Sequence, residues 1–320
     1  MFIEQGVTPE NKFWKYLIGF ALIACAYIVG QIPFTIAIIV KNIANGKGFE
    51  ISEATAMKLL EPNLNLFLLL LTFVFGIVGV YLVVVHLHKQ SFLSVTTSRK
   101  KIDWRRFFFS FAIWGVFSIV STVISYYATP DDFVWNFKPI PFLLLFIIAT
   151  VMIPIQTSFE EYVFRGYLMQ GFANLAFNKW VPLVLTSIIF GIMHIANPEV
   201  KQLGYVLLVY YVGTGFLLGI LTLMDEGMEL SLGFHAANNL IGALLVTSDW
   251  SVFQTHSLLR DVSKPSAGWE VVLPVCVVYP LLLLIFSKKY KWSNWKDKLF
   301  GKITLENKCI LTIEKTENHD

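Results

Sequence analysis

Long runs without a single charged residue constrain this chain more than any other feature. Residues 17–40, 64–85, 107–128, 140–159 and 203–224 each come close to the ~20 apolar residues that a helix needs to cross a bilayer. Three shorter or more polar stretches, 180–195, 230–248 and 271–287, extend the series to eight expected spans. Such runs leave little choice of architecture. Inside hydrocarbon every backbone N–H and C=O has to be satisfied within the segment, and a helix does this. The expected fold class is therefore all-α, a polytopic membrane bundle of about eight helices.

Composition agrees. Hydrophobic residues make up 56% of the 320 and charged ones 15%, more apolar surface than a soluble domain of this length can use. Lysine and arginine then suggest an orientation. With an even number of spans, 18 of these cations fall in segments on the side of both termini and 7 on the other. Both termini are accordingly expected in the cytoplasm of a cell-membrane protein, with the first helix serving as an uncleaved anchor. The net charge of +3 then reflects topology and attraction to anionic headgroups, so no nucleic-acid partner is expected. The three cysteines (Cys25, Cys276, Cys309) are too scattered for a disulfide framework or a thiolate metal site. Cys25 ends a stretch that superficially resembles a lipoprotein cleavage box, but the apolar run continues past it.

The chain divides by chemistry into three parts. Residues 1–138 hold three nearly apolar helices and read as scaffold. Residues 139–248 carry Glu, Arg, His and Asn inside apolar context, where ionisable groups are expensive and usually functional. Residues 249–320 hold an outer loop with irregular backbone, a last span and a basic, aromatic tail suited to a membrane surface. A short helix near Ser52 is expected within a polar loop, and residues 89–106 form a basic inner loop.

Three motifs concentrate the chemistry. The first is Phe159-Glu160-Glu161-Tyr162-Val163-Phe164-Arg165-Gly166. Adjacent carboxylates point about 100° apart on a helix, so they take different roles. Glu161 and Arg165 stand at i,i+4, the favourable order for an intrahelical ion pair. Glu160 lacks such a partner, and a carboxylate in a low-dielectric site makes a suitable general base near neutral pH. The alternative is an interfacial helix end where both glutamates meet water. The second motif is Phe190-Gly191-Ile192-Met193-His194, whose histidine is either catalytic or a hydrogen-bonded structural residue. The third is His235-Ala236-Ala237-Asn238-Asn239, which puts His235 and Asn239 on one helical face. That pair reads as donors to a developing oxyanion or as an interhelical clasp. His86, His88, His256 and His319 stand outside these motifs.

Glu-Glu-x-x-x-Arg, Phe-x-x-x-His and His-x-x-x-Asn, in this order on successive membrane helices, resemble the CAAX protease and bacteriocin-processing (CPBP, or Abi) family over about residues 140–245. The resemblance implies an intramembrane glutamate-dependent endopeptidase acting on a membrane-associated peptide or protein. It implies that Glu160 activates the hydrolytic water with His194, that His235 and Asn239 stabilise the oxyanion, and that Glu161 and Arg165 support the site. Eukaryotic members remove the last three residues of prenylated CAAX proteins.

Neither a cofactor nor a metal is expected, although Glu160, His194 and His235 also suit a zinc site with two histidines, a glutamate and an open position. Against zinc, no His-Glu-x-x-His occurs and Arg165 opposes a divalent cation. A non-catalytic immunity or scaffold protein would use the same groups as packing clasps. One geometric difficulty follows from the spacing. His194 lies roughly 21 Å along its helix at 1.5 Å per residue, whereas His235 lies close to a helix start. The two meet Glu160 only if helix starts are recessed or helices tilt.

Overall fold

The computed structural model of the chain describes residues 1–46 and 58–303; the short helix expected near Ser52, Cys309 and His319 lie outside the described residues. Ten helices organise what is described. They are α1 (Phe13–Ala44), α2 (Pro62–Leu87), α3 (Trp104–Ala128), α4 (Pro139–Ala176), α5 (Trp180–Met193), α6 (Pro198–Leu203), α7 (Leu207–Asp225), α8 (Glu229–Leu245), α9 (Val271–Tyr290) and α10 (Trp295–Phe300). Each of the eight expected spans is helical over most of its length, while residues 204–206 and Val246–Ser248 fall outside the helices. Six of them (α1, α2, α3, α4, α7 and α9) are long and apolar enough to cross a membrane. α5 has 14 residues and α8 has 17, and α8 is buried along most of its length. The chain is an all-α polytopic membrane bundle.

Local chemistry sets several boundaries. Glu61 caps α2 by accepting from the Leu64 N–H at 3.1 Å, and Asp103 caps α3 by accepting from the Arg105 N–H at 3.0 Å. Pro62, Pro139 and Pro198 stand in first turns, where a missing N–H costs nothing. α4 behaves differently from the single short span read in the sequence. It runs on beyond the two glutamates, and residues Tyr162–Leu168 form a π-helical turn directly after Glu161. A π turn shifts the side chains that follow it relative to an α register. Here it lies in the main apolar core with Val80, Val84, Phe190 and Met228.

α8 packs against α3 and α4, and α5 against α7. The outward faces of α1, α3 and α4 are rich in exposed apolar side chains such as Ile28, Val116, Ile124 and Leu143. Exposed apolar surface on this scale is a lipid-facing surface. Among the described residues α3 has polar contacts that the scaffold reading did not foresee. Ser110 Oγ donates to the Leu230 carbonyl at 2.7 Å, and Trp114 Nε1 donates to Asn238 at 2.9 Å.

One end of the bundle gathers the segments that the cation count puts on the side of the termini. The Phe2 N–H donates to Glu226 Oε2 at 2.6 Å, Gln5 Nε2 to the Thr97 carbonyl at 3.1 Å, and Trp292 Nε1 to Asp225 Oδ1 at 3.1 Å. The basic loop is folded here. Arg99 pairs with Asp225 at 3.0 Å and with Glu229 at 3.1 Å, and Arg106 also reaches Asp225. The tail segment packs inward as well, burying Leu299 and Ile303, and does not simply lie on a surface. At the other end, strands β1 (Phe133–Trp135), β2 (Val246–Ser248) and β3 (Leu259–Asp261) form a small sheet in the order β1-β3-β2. That sheet replaces part of the irregular outer loop, because the β-branched Val246-Thr247 run leaves α8 extended and pairs with β3 in parallel.

α3 and α8 approach closely at Gly233. A Cβ there would fall on the Phe107 carbonyl oxygen, a backbone atom that cannot swing aside. Gly233→Ala is therefore expected to destabilise the bundle by about 1–3 kcal/mol, the usual cost of overpacking. A thermal melt in detergent, followed by tryptophan fluorescence, reads this directly.

Candidate active site

α4 supplies the two carboxylates at the point where its α-helical register gives way to the π turn. Glu161 is fully buried, and its Oε1 accepts from Arg165 Nη1 at 2.9 Å. The pair expected from i,i+4 spacing is present. Arg165, also fully buried, donates from Nη2 to the Gly215 carbonyl on α7 at 3.1 Å, and its guanidinium lies 4.4 Å over the Phe190 ring. Arg165, one of the 18 cations counted on the side of the termini, is thus not a loop residue. The π turn carries it into the protein, where Glu161 compensates its charge. The side of the termini keeps the larger number of cations without it.

α8 brings His235 between the two glutamates. Its Nδ1 donates to Glu161 Oε1 at 2.8 Å, and its Nε2 lies 3.4 Å from Glu160 Oε2. The difficulty over depth is resolved by a recessed helix start. Met228, Glu229 and Ser231 are all fully buried, with Arg99 and the Asp103 N–H closing over Glu229. His235, the seventh residue of α8, is thus already deep in the bundle.

Glu160 is not the isolated carboxylate that the motif suggests. Its Oε1 accepts from Gln156 Nε2 at 2.6 Å, while its Oε2 is buried with no hydrogen-bond partner among the described residues. Gln156 stands four residues before Glu160, so the rule that found Glu161–Arg165 would also have found this pair. Asn239 follows the same path. Its Nδ2 donates to Gln156 Oε1 at 3.1 Å, and its Oδ1 accepts from Asn238 Nδ2 at 3.0 Å. Each Asn amide nitrogen carries two hydrogens, so Asn239 retains a second donor.

His194 forms the C-cap of α5. Its Nδ1 donates to the Phe190 carbonyl at 2.7 Å, which leaves the lone pair on Nε2 to accept a proton. The ring stacks on Tyr211 at 4.3 Å, a contact that the sequence does not signal. Phe190, the first residue of Phe-x-x-x-His, is the aromatic hub of the site. Its ring centroid lies 4.7 Å from that of His194, 5.9 Å from that of His235 and 5.4 Å from that of Phe164, and the Arg165 guanidinium lies over it. His194 also lies within electrostatic range of Glu160, His235 and Arg165.

His88 and His256 make their contacts outside the cluster. His88 is clasped between Asn11 at 3.0 Å and Tyr167 at 2.9 Å, and His256 meets Glu61 at 2.8 Å. Among the described residues no three His, Cys, Asp or Glu side chains are grouped so as to hold a metal ion.

Two glutamates on α4, a histidine at the end of α5, and a histidine and an asparagine on α8, with Glu161 and His235 buried and the other three partly buried, are the outline of a peptidase set within a membrane bundle, and sequence comparison agrees. Residues 139–241, which span the whole cluster, match the family described as type II CAAX prenyl endopeptidase Rce1-like. The chain is also 33% identical over 299 residues to "Uncharacterized protein YyaK" of Bacillus subtilis (strain 168), covering 92% of this chain and 96% of that protein. The chain belongs to this Rce1-like peptidase family. No solved structure matches it.

Proposed function

We propose that the protein is an intramembrane glutamic endopeptidase of the CAAX-protease and bacteriocin-processing type, cleaving a peptide bond in a membrane-associated peptide or protein. The observation that carries this reading is the unpartnered Glu160 Oε2, buried beside His235 in a cluster that also holds His194. A water between Glu160 Oε2 and His194 Nε2 has two bases available, one to take its proton and one to orient it. His235 and Asn239 serve as donors to the tetrahedral oxyanion; for His235 this requires a hydrogen on Nε2 as well as on Nδ1. Asn239 acts through its second N–H. Glu161 and Arg165 hold α4, α5, α7 and α8 in register around the reacting atoms. In this reading both termini face the cytoplasm of the cell membrane.

Comparative identification of peptide termini tests the proposal. Membranes from a deletion strain complemented with native protein are compared with membranes from one carrying Glu160→Gln. At least one new terminus is expected with the native protein alone, and identical terminus sets would refute the reading. On the peptide so found, Asn239→Ala should lower kcat on the order of a hundredfold, the usual cost of an oxyanion donor. An unchanged kcat would remove Asn239 from the site.

A further inference from the structure

We infer that Gln156 is a positioning residue for Glu160, the last link of a directed amide chain that starts at Trp114 and runs through Asn238 and Asn239. The inference rests on the reading of Glu160 as the base. Four hydrogen bonds run head to tail. Trp114 Nε1 donates to Asn238 Oδ1 at 2.9 Å, Asn238 Nδ2 to Asn239 Oδ1 at 3.0 Å, Asn239 Nδ2 to Gln156 Oε1 at 3.1 Å, and Gln156 Nε2 to Glu160 Oε1 at 2.6 Å. Tyr210 OH adds a longer contact to Asn238 Oδ1 at 3.4 Å.

The chain has only one possible direction. An indole nitrogen only donates, and an ionised carboxylate only accepts. With a donor fixed at one end and an acceptor at the other, each amide between them has a single satisfying orientation. Flipping any one of them would set N–H against N–H on one side and oxygen against oxygen on the other. Trp114 and Gln156 are both buried, so water cannot easily substitute for a lost link.

The consequence for chemistry is a division of labour within one carboxylate. Gln156 occupies Oε1 and fixes the rotation of the Glu160 side chain, so Oε2 is the oxygen that receives the proton from water. When that proton arrives the O–H bond of the water breaks, the hydroxide electron pair goes to the substrate carbonyl carbon, and Oε1 keeps its bond to Gln156. Because α3 anchors the far end of the chain, a helix outside the three motifs takes part in aiming the base.

Kinetics on the peptide identified by Glu160-dependent cleavage test this. Gln156→Met keeps the side-chain length and removes both polar functions. It is expected to lower kcat about 30-fold, roughly 2 kcal/mol of barrier at 1.36 kcal/mol per tenfold, with KM within about twofold. Gln156→Glu keeps the shape but sets a second carboxylate against Glu160, and should lower kcat further. A role in packing alone predicts near-normal turnover for the methionine variant. Wild-type kcat in Gln156→Met, with Glu160→Gln inactive in the same assay, overturns the inference and leaves the protease reading intact. If Gln156→Met does not fold, Asn238→Leu decides instead. A fall of about fivefold in kcat at constant KM supports the chain, and an unchanged kcat overturns it. If no cleavage depends on Glu160, both the reading and this inference fall.

Discussion

Replacing Glu160 with Gln is expected to cut turnover by about 10³-fold or more while leaving the protein folded and monodisperse in detergent. The expectation of an intact fold comes from the contacts. Glu160 Oε2 has no hydrogen-bond partner among the described residues and only the 3.4 Å contact with His235 Nε2 to lose, and a glutamine oxygen at the Oε1 position can still accept from Gln156. The expectation of lost activity comes from chemistry, because an amide cannot take a proton from water near neutral pH. General-base catalysis contributes typically ~10²–10⁴-fold. Single-turnover cleavage of the identified peptide, with a thermal melt on the same preparation, separates the two effects. Retained turnover would transfer the role of base to another group, and His194 would be the first to examine.

The second large effect concerns stability. Arg165→Met should destabilise the protein by about 3–5 kcal/mol, the range seen when one partner of a buried ion pair is removed. Glu161 would be left charged and fully buried, with only His235 as a donor. The Gly215 carbonyl would also lose its side-chain donor, and Phe190 the cation over its ring. The double variant Glu161→Leu with Arg165→Met removes both charges and should lose less than Arg165→Met alone. Thermal melts of the two variants side by side give the comparison. Equal losses would mean that packing, not the unpaired charge, dominates at this position.

The two expectations draw on neighbouring residues of one helix for opposite reasons. Glu161 binds both Arg165 and His235 through Oε1 and serves the architecture, although its buried Oε2, like that of Glu160, has no hydrogen-bond partner among the described residues. Glu160 is oriented at one oxygen and unpartnered at the other. Asn239→Ala, by contrast, touches both functions, since the same amide donates to Gln156 and carries the second N–H assigned to the oxyanion.

Much of this was legible in the sequence, and the reason is periodicity. A charge-free run of twenty residues can only be a helix in a bilayer, so the class of fold followed from the runs at 17–40 and 64–85 and their successors. The Glu161–Arg165 pair was legible because residues four apart on a helix face each other whatever surrounds them. Gln156–Glu160 obeys the same rule, but an uncharged amide four residues away carries no charge signal that marks it as a partner. The tertiary structure alone decided how the helices meet. The π turn after Glu161, the recessed start of α8 and the reach of Trp114 from α3 depend on packing between segments far apart in the chain. His235 comes from 74 residues beyond Glu161. No local spacing specifies that its ring bridges both glutamates, because helix tilt and depth follow from the shapes of the packed faces.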